Sequence, residues 1–377
     1  MVCKEFGKTG IKMSALGFGA MRLPMRGEGD KKEVNDDLAI PMMHRAFDLG
    51  VNYIDTAPYY LDKLSEGVVG RAVKGRRDKI YVSTKNPIEN DSADDWRKRL
   101  ENSLKNLDMD YIDFYHFWGI NLKGFRNWET LSDGPLQAAE RAKSEGLIKH
   151  VSFSYHDDAK NLREIVDSGR FESVLMQYNL LDRSNEDNLA YAKEKGLGVV
   201  VMGPVGGGRL GAPSELIRGL LSEKPASTAE MALRFVLANP NVDVALSGMS
   251  EMFHVEENTK IAAKTGHLTF DEILQIKKMM DENKKLAELY CTSCDYCKPC
   301  PKEINIPLLF GIMNNHRIYE LTEHAVSDYN SVIRGKAWHK STSPADCTKC
   351  GECESKCPQK LPIIKQLEET HSTLFRD

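Results

Sequence analysis

The sequence lacks the features that would place it in a membrane, on nucleic acid or outside the cell. None of its 377 residues belong to a run approaching the ~18 apolar residues needed to span a bilayer, and no apolar signal segment follows Met1. The formal net charge of -4 gives no basis for binding nucleic acid. Low-complexity segments and short repeats are absent too. These absences favour a cytoplasmic globular protein with neither a membrane nor a nucleic-acid partner.

Cysteine is nearly absent outside two short runs near the C-terminus. Of nine cysteines, only Cys3 lies elsewhere. The second run has the spacing C-x2-C-x2-C-x3-C-P, by which a loop wraps three thiolates around one iron–sulfur cube and sends the fourth to another cube. The first run is one residue shorter between its third and fourth cysteines. The two runs comprise Cys291, Cys294, Cys297 and Cys300, then Cys347, Cys350, Cys353 and Cys357.

Eight thiolates match the ligand count of two 4Fe-4S clusters. By the crossed rule, the first three cysteines of the first run bind one cluster with Cys357, and the first three of the second run bind the other with Cys300. Structural zinc is the alternative, although four cysteines at every third position crowd one tetrahedral ion. Disulfides suit small secreted chains instead. We therefore predict two 4Fe-4S clusters and keep zinc as the alternative.

Alternating short strands and amphipathic helices fill the chain before the cysteines. A hairpin is predicted over residues 4–13, and eight strand candidates separated by helical patterns follow. No G-x-G-x-x-G fingerprint follows Phe18, so a TIM (β/α)8 barrel fits better than an open doubly wound sheet. The strand candidates are residues 15–19, 51–55, 80–84, 111–116, 150–154, 173–177, 198–202 and 242–247.

The predicted fold class is α/β, with a TIM barrel joined to a C-terminal α-helical, ferredoxin-like iron–sulfur domain. The barrel is assigned to residues 1–268, a linking helix to 269–290 and the cluster domain to 291–377. Helical spacing of apolar residues between the cysteine runs distinguishes this domain from small, strand-rich ferredoxins. A last apolar segment, 361–367, is expected to cover the second cluster.

Polar residues at the ends of strands two and three predict a proton-transfer site. In such barrels the chemistry lies where strands end. Asp55 and Lys85 end neighbouring strands ~4.8 Å apart, so they can form an ion pair. A lysine beside Tyr60 would lower the pKa of the Tyr60 phenol from ~10 towards the working range for proton transfer. The same residues also fit an ordinary solvated ion pair with a loop tyrosine.

These residues resemble the aldo-keto reductases, and the likeness extends over about residues 3 to 265. It implies an oxidoreductase that uses NAD(P)H, with Asp55, Tyr60 and Lys85 in the places of the catalytic aspartate, tyrosine and lysine. The chain also resembles the branch of that family with a C-terminal ferredoxin-like domain. The matching motifs are residues 7–10, 17–22, 55–57 with Tyr60, 65–66 with Gly70, 84–85, 111–113, 177–179, Pro204 with Gly207, and 257–258.

Four departures from the family pattern fall on proton transfer or nicotinamide recognition. Trp118 occupies the position of the catalytic histidine, and His116, two residues earlier on the same face of the strand, is a candidate replacement or a core histidine. Met202 stands where an aromatic ring normally stacks on the nicotinamide. Tyr155 replaces the asparagine of a Ser-Asn pair. His254 replaces the arginine that grips a 2'-phosphate, which argues against a strong preference for NADP.

Part of a phosphate-binding apparatus is retained. A Gly-Met-Ser segment after the last strand leads into a helix, whose N-terminus suits a phosphate. A glycine run after the preceding strand also suits an anion, but it fits a flexible turn equally well. The predicted cofactor-binding residues are Ser154, Gln177, Met202, Gly207, Gly248, Ser250, His254, Glu257 and Asn258.

The predicted barrel and the predicted cluster domain differ in the number of electrons that they transfer in one step. Hydride transfer moves two electrons together, whereas a 4Fe-4S cluster normally passes one, so a flavin is a further candidate cofactor. One hypothesis is an enzyme that interconverts a carbonyl and an alcohol, or a related small molecule, while its clusters exchange electrons with a ferredoxin-like partner. The other is an electron-transfer or redox-sensing subunit whose barrel no longer acts as a nicotinamide-dependent reductase.

Overall fold

Eight parallel strands close into a barrel within the part of the chain that the computed structural model describes, namely residues 1–27, 32–211, 213–221, 224–288, 291, 297–357 and 360–377. All eight predicted barrel strands and the preceding hairpin are confirmed. The strands are β1 (Cys3–Glu5), β2 (Lys12–Ser14), β3 (Leu16–Gly19), β4 (Met25–Arg26), β5 (Glu33–Val34), β6 (Tyr53–Asp55), β7 (Tyr81–Asn86), β8 (Ile112–Ile120), β9 (Ile148–Tyr155), β10 (Ser173–Gln177), β11 (Gly198–Met202) and β12 (Val244–Gly248).

The barrel strands follow chain order, β3 then β6 to β12, and β12 pairs again with β3. Two antiparallel ribbons, β1 with β2 and β4 with β5, lie outside this ring. The helices of the described residues are α1 (Asp36–Asp48), α2 (Ser65–Val73), α3 (Ala93–Leu107), α4 (Leu122–Thr130), α5 (Pro135–Ser144), α6 (Leu162–Asp167), α7 (Glu186–Lys195), α8 (Glu215–Arg218), α9 (Thr228–Ala238), α10 (Met252–Ala262), α11 (Phe270–Glu288), α12 (Ile306–Tyr319), α13 (Thr322–Ile333), α14 (Glu352–Lys356) and α15 (Ile363–Leu374).

Helix α3 shows how the sequence specifies these elements. Its buried residues are spaced three to four apart and lie on one face of the helix, namely Ala93, Trp96, Leu100, Ser103 and Leu107. The Ser92 side chain caps the N-terminus by accepting a hydrogen bond from the Asp95 N–H. Asp108 ends the helix in the left-handed conformation, with φ of 54°. The amphipathic pattern and the two caps together fix the bounds of the helix.

The N-terminal hairpin closes one end of the barrel. Phe6 is fully buried against the inward-facing Tyr53 and Phe114, and its ring centroid lies 5.2 Å from that of Phe114. The turn that follows approaches the start of β11 so closely that a Cβ on Gly7 would lie 2.4 Å from the Gly198 nitrogen. Because this end receives the N-termini of the strands, the carboxyl ends open at the other side.

A second close backbone approach joins two outer helices. A Cβ on Gly70 in α2 would lie only 2.2 Å from the carbonyl oxygen of Leu107, the last residue of α3. Gly67, one turn earlier in the same helix, has no such restriction, since its nearest neighbour is the end of the Arg71 side chain at 3.5 Å. Only glycine fits at position 70 without a shift of the backbone.

The chain divides into two compact units. The first comprises residues 1–206 and 232–268, and the second comprises 207–231 and 269–377. Residues 207–231 were assigned to the barrel in the sequence analysis, and the domain bounds given there stay a prediction. Within the second unit, the Ser214 hydroxyl donates to the Tyr319 carbonyl at 2.7 Å, and the Leu216 N–H donates to the Glu320 carboxylate at 3.2 Å.

The second unit is helical in its described residues, as predicted. Its core is formed by α12, α13 and α15, and the Tyr329 hydroxyl is hydrogen-bonded to His371 Nδ1 at 2.7 Å. None of the helices in the described residues has both the length and the apolar content required to cross a membrane. The apolar residues that centre this core are Ile306, Leu309, Phe310, Met313, Tyr329, Ile363, Leu367 and Leu374.

Candidate functional site

A buried ion pair lies where β6 and β7 end. Asp55 is the last residue of β6, and Lys85 lies one residue before the end of β7. Lys85 Nζ is 2.6 Å from Asp55 Oδ1, and each side chain is only 2% exposed. The solvated surface pair that the sequence also allowed is therefore excluded.

Hydrogen bonds orient both partners of this pair. The Ser83 hydroxyl donates to Asp55 Oδ2 at 2.6 Å, and Lys85 Nζ also donates to the Thr56 carbonyl at 2.8 Å. A buried ion pair is tolerated when its remaining polar atoms are satisfied in this way. Burial acts to lower the pKa of Lys85, but the Asp55 carboxylate and the Tyr60 phenol raise it, and the net direction is upward. Lys85 therefore carries its positive charge at neutral pH.

Tyr60 lies beside this lysine, as predicted, but its pKa moves in the opposite direction from the prediction. The Lys85 ammonium is 4.8 Å from the centroid of the Tyr60 ring. Burial raises the pKa of the Tyr60 phenol, and Lys85 offsets only part of that shift, so the net direction is upward. The phenol is therefore protonated at neutral pH and available as a proton donor.

Trp118 and His116 occupy different levels of the barrel. Trp118 is half-buried, and its ring lies 5.8 Å from that of Tyr60 at an angle of 85°. His116 is the register partner of Lys85 on β8, so both side chains point to the same face. The His116 ring is fully buried, and neither ring nitrogen has a hydrogen-bond partner within the described residues. Burial lowers the pKa of His116 to about 4, so the imidazole is neutral at physiological pH.

Other residues that carry the family likeness hold the framework together. The Thr84 hydroxyl and the Asn106 side chain donate to the two carboxylate oxygens of Glu66, at 2.7 and 3.0 Å. This carboxylate links α2 to β7 and α3. Ser65, the first residue of α2, donates to the Ala20 carbonyl at 2.8 Å. These motif residues fix α2 against the strands that carry Asp55 and Lys85.

The residues predicted for the nicotinamide end lie at the carboxyl ends of β9, β10 and β11. The Ser154 hydroxyl accepts a hydrogen bond from the Gly119 N–H at 2.8 Å. Gln177 and Met202 are register partners at the ends of their strands. A Cβ on Gly203 would lie 2.7 Å from Gln177 Oε1, so the glutamine side chain packs directly on the loop after β11.

The residues predicted for the phosphate end surround the N-terminus of α10. The Asn258 side chain donates to the Ser247 hydroxyl at 3.2 Å, which ties the helix to the end of β12. His254 Nδ1 is buried and has no hydrogen-bond partner in the described residues. The Gly248–Ser250 segment and the first N–H groups of this 11-residue helix form a cradle that suits a phosphate. Glu257 lies on the same helix, whereas Gly207, with φ of 69°, belongs to the second unit.

Two residues at this end of the barrel were not among the predicted site residues. Arg22 packs against the phosphate cradle, because a Cβ on Gly248 would lie 3.4 Å from Arg22 Cδ. His156 directly follows β9, and its Cδ2 lies 3.8 Å from the Cβ position of Gly119. Although His156 is exposed, desolvation and the positive charge of Lys85 lower its pKa. Its place immediately after a barrel strand was the signal that could have identified it.

Five cysteines line one cavity in the second unit. Ile306, Ile364 and Leu367 contribute apolar wall to this cavity. Ile364 and Leu367 belong to segment 361–367, which is predicted to cover the second cluster. The four thiols assigned by the crossed rule to one cluster all face this cavity, together with one from the other set. The lining cysteines are Cys297, Cys300, Cys347, Cys350 and Cys353.

Of the remaining predicted cluster ligands, some lie within the described residues and one does not. Cys291, Cys297 and Cys357 are partly buried and pack against the apolar core of the second unit. Cys294 lies outside the described residues. All eight described cysteines are free thiols, including the exposed Cys3. The donor set and the apolar wall of the cavity therefore suit a thiolate-bound cluster.

Comparisons with known proteins agree with this geometry. The model of the aldo/keto reductase family matches residues 15–281, and the model of a 4Fe-4S dicluster domain matches residues 290–361. The second match supports iron–sulfur binding over the zinc alternative.

Individual proteins match over the barrel region. L-galactose dehydrogenase of Arabidopsis thaliana is 29% identical, covering 75% of this chain and 96% of that protein. NADH-specific methylglyoxal reductase of Escherichia coli (strain K12) is 28% identical, over 54% of this chain and 67% of its own length. The holo form of an aldo-keto reductase from Bacillus halodurans superposes with a TM-score of 0.63 at 29% identity, covering 74% of this chain and 96% of that structure.

Proposed function

The chain belongs to the aldo/keto reductase family and carries a 4Fe-4S domain, and from this premise we propose that its barrel interconverts a carbonyl and an alcohol, or a related small molecule, with Tyr60 as the proton donor. The observation that carries the proposal is the buried Asp55–Lys85 pair, whose ammonium lies 4.8 Å from the Tyr60 ring. It combines a neutral phenol with a fixed positive charge at the carboxyl ends of the strands.

Each residue has a distinct part in proton transfer. The Tyr60 hydroxyl donates its proton to a carbonyl oxygen, and in the reverse direction the Tyr60 phenolate takes the proton from the alcohol. The Lys85 ammonium stabilises the phenolate that this transfer leaves. Asp55, held by Ser83, keeps Lys85 charged and oriented. His116 is neutral beside Lys85, and we propose it as a fourth member that supports the pair from within the barrel.

The proposal assigns the nicotinamide cofactor to the same end of the barrel. When bound, NADH or NADPH supplies the hydride. Ser154, Gln177 and Met202 would hold the nicotinamide, and the loop and helix carrying Gly248, Ser250, His254, Glu257 and Asn258 would hold the adenosine phosphates. The name of the NADH-specific relative supports a nicotinamide cofactor, and the loss of an arginine at His254 favours NADH over NADPH.

The test compares two neighbouring tyrosines. In Tyr60→Phe, loss of the phenol proton should reduce kcat for NADH- or NADPH-dependent reduction of a carbonyl panel by at least ~10²-fold. Tyr59→Phe is the matched control, because the Tyr59 hydroxyl donates to Glu89 and the ring is 43% exposed. Its kcat should stay within about threefold of the wild type. Unchanged turnover of Tyr60→Phe across the panel would reject the proposed role.

For the second unit we propose two 4Fe-4S clusters with crossed ligands. Cys347, Cys350, Cys353 and Cys300 would hold one, and Cys291, Cys294, Cys297 and Cys357 the other. Such clusters pass single electrons when bound. The cavity that already gathers the first set supports this assignment. We propose further that these clusters exchange electrons between the barrel site and a ferredoxin-like protein, and that the protein works in the cytoplasm, where clusters stay reduced.

An anaerobic titration distinguishes this function from the alternative of an electron-transfer or sensing subunit. Trp118, which fills the position of the family histidine beside Tyr60, is the observation that favours the alternative. Bleaching of the visible cluster absorbance by NADH or NADPH would support a reductase coupled to its clusters. Bleaching by dithionite alone, with no nucleotide binding, would favour the alternative. A bound flavin is still a prediction. It is tested by precipitating the protein with acid and measuring flavin fluorescence in the supernatant.

A further inference from the structure

An unpaired aromatic side chain stands out on the second unit. Trp338 is 94% exposed, the highest value among the large apolar side chains of the described residues. It lies in residues 334–342, which connect the end of α13 to the second cysteine run. We call residues 334–340 the Trp338 loop. At this exposure the tryptophan buries almost no apolar surface within the fold, and tryptophan is enriched among the anchor residues of protein interfaces.

The Trp338 loop is strongly basic. It contains Arg334, Lys336, His339 and Lys340, and it has no acidic residue. All four are exposed, and none forms an ion pair within the described residues. Lysines elsewhere in the same unit do find acids, as in the Lys349–Glu368 pair at 2.6 Å. The loop thus presents an aromatic side chain within a rim of uncompensated positive charge.

The two residues that directly follow this loop, Ser341 and Thr342, are hydrogen-bonded beside the cysteine-lined cavity. The Asn305 N–H donates to the Ser341 hydroxyl at 2.9 Å, and the Thr342 N–H donates to the Glu303 carbonyl at 3.4 Å. The Thr342 hydroxyl donates to the carbonyl of Lys302, a residue that lines the cavity. Within the loop, Ala337 packs against the core that also includes Cys300 and Cys347.

We propose that the Trp338 loop is the docking surface for a small acidic electron-carrier protein of the ferredoxin class. The inference rests on the proposed function, in which the clusters exchange electrons with such a partner, and it assigns the place of contact. Charge complementarity favours an acidic partner, because basic rim residues steer it into contact and the tryptophan serves as a desolvated anchor. The attachment to Lys302 and Glu303 holds this contact next to the thiols that would bind a cluster.

The experiment measures binding rather than turnover. The probe is a purified plant-type ferredoxin, titrated calorimetrically into the anaerobic holoprotein at about 20 mM and 200 mM salt, where screening differs strongly. Lys336→Glu with Lys340→Glu should weaken binding roughly tenfold at low salt and flatten the salt dependence. Trp338→Ala should weaken binding at both salt concentrations.

The matched control is Lys98→Glu with Lys105→Glu on α3, which makes the same change in net charge. Both lysines are exposed and lack an ion pair within the described residues. Binding by this variant should stay within about twofold of the wild type. Equal losses in the two double variants, or wild-type binding by the loop variant, would overturn the proposal. Self-association that Trp338→Ala abolishes would also overturn it, by assigning the surface to a second copy.

The outcome separates this inference from the proposed function. The loop variants contain every predicted cluster ligand and catalytic residue, so their iron content and nucleotide-dependent turnover should equal those of the wild type. If turnover with NADH and NADPH is absent in the wild type while ferredoxin binding depends on the loop, the reductase proposal fails and the docking surface stands. If the wild type turns over with NADH or NADPH and the loop variants bind ferredoxin as the wild type does, only the docking proposal fails.

Discussion

The buried ion pair makes Asp55→Asn a demanding test of the structure. The substitution keeps the size of the side chain but removes the partner of an ammonium that is 2% exposed. Removing one partner of a buried pair costs about 3–5 kcal/mol. Because Lys85 Nζ retains its hydrogen bond to the Thr56 carbonyl, we expect a loss near the lower end of that range, about 3 kcal/mol.

The loss of unfolding free energy in Asp55→Asn should also depend on pH. The direction of that dependence follows from the pKa of Lys85. In the wild type the folded-state pKa of Lys85 is raised, so its contribution is complete below pH ~10.4 and is lost only as pH rises through the folded pKa. Without Asp55, burial prevails and lowers that pKa. The unfolded chain then binds more protons, and the free energy of unfolding should rise with pH up to ~10.4, by at most ~1.4 kcal/mol per pH unit.

Urea unfolding followed by tryptophan fluorescence measures this change at pH 7 and pH 9. Trp338 is 94% exposed in the folded state, so its emission changes little, and the signal reports mainly Trp96, Trp118 and Trp128 of the barrel. Ser83→Ala, which removes one hydrogen bond to Asp55, should cost about 1 kcal/mol with no new pH dependence.

The double variant Asp55→Leu with Lys85→Met should be more stable than Asp55→Asn, because no buried charge is left unpaired. A loss below about 1 kcal/mol in Asp55→Asn that is equal at the two pH values would refute the reasoning. A double variant less stable than the single one would refute it as well.

Three further predictions follow. NMR of ring-labelled histidine, assigned with His116→Gln, should show His116 titrating near its pKa of about 4, with stability falling as pH drops from ~6.5 towards that value; a midpoint near 6.5 would contradict its burial. Gly70→Ala should destabilise the protein by about 1–3 kcal/mol in urea, whereas Gly67→Ala in the same helix should stabilise it by up to about 1 kcal/mol; equal effects would disprove the close approach to Leu107. Cys300→Ser should reduce iron from about eight to about four atoms per chain, whereas Cys3→Ser should leave it unchanged; a full complement in Cys300→Ser would reject Cys300 as a cluster ligand.

The strands and long helices could be predicted because their patterns are periodic. The eight barrel strands alternate with helices such as α3, whose apolar residues repeat at helical spacing. The contact between Asp55 and Lys85 could also be predicted, since parallel strands bring their ends to one edge. These inferences need only local sequence and the order of elements.

Other features depend on burial that the sequence does not display. The pKa of Tyr60 rises because desolvation outweighs the lysine charge, and only the folded environment fixes that balance. His156 was missed because its position directly after a strand is its only distinguishing feature in the sequence. Residues 207–231 precede the last barrel strand in the sequence, and the structure groups them with the second unit.

The placement of residues 207–231 also bears on how the two units can be separated. The chain leaves the first unit after β11, contributes a segment to the second and returns before β12. A cut after Leu268 would leave Ser214 and Leu216 without Tyr319 and Glu320. The unit that carries the iron–sulfur motifs therefore also includes residues from before the last barrel strand. Replacing this unit with that of another protein would require changing residues 207–231 as well as 269–377.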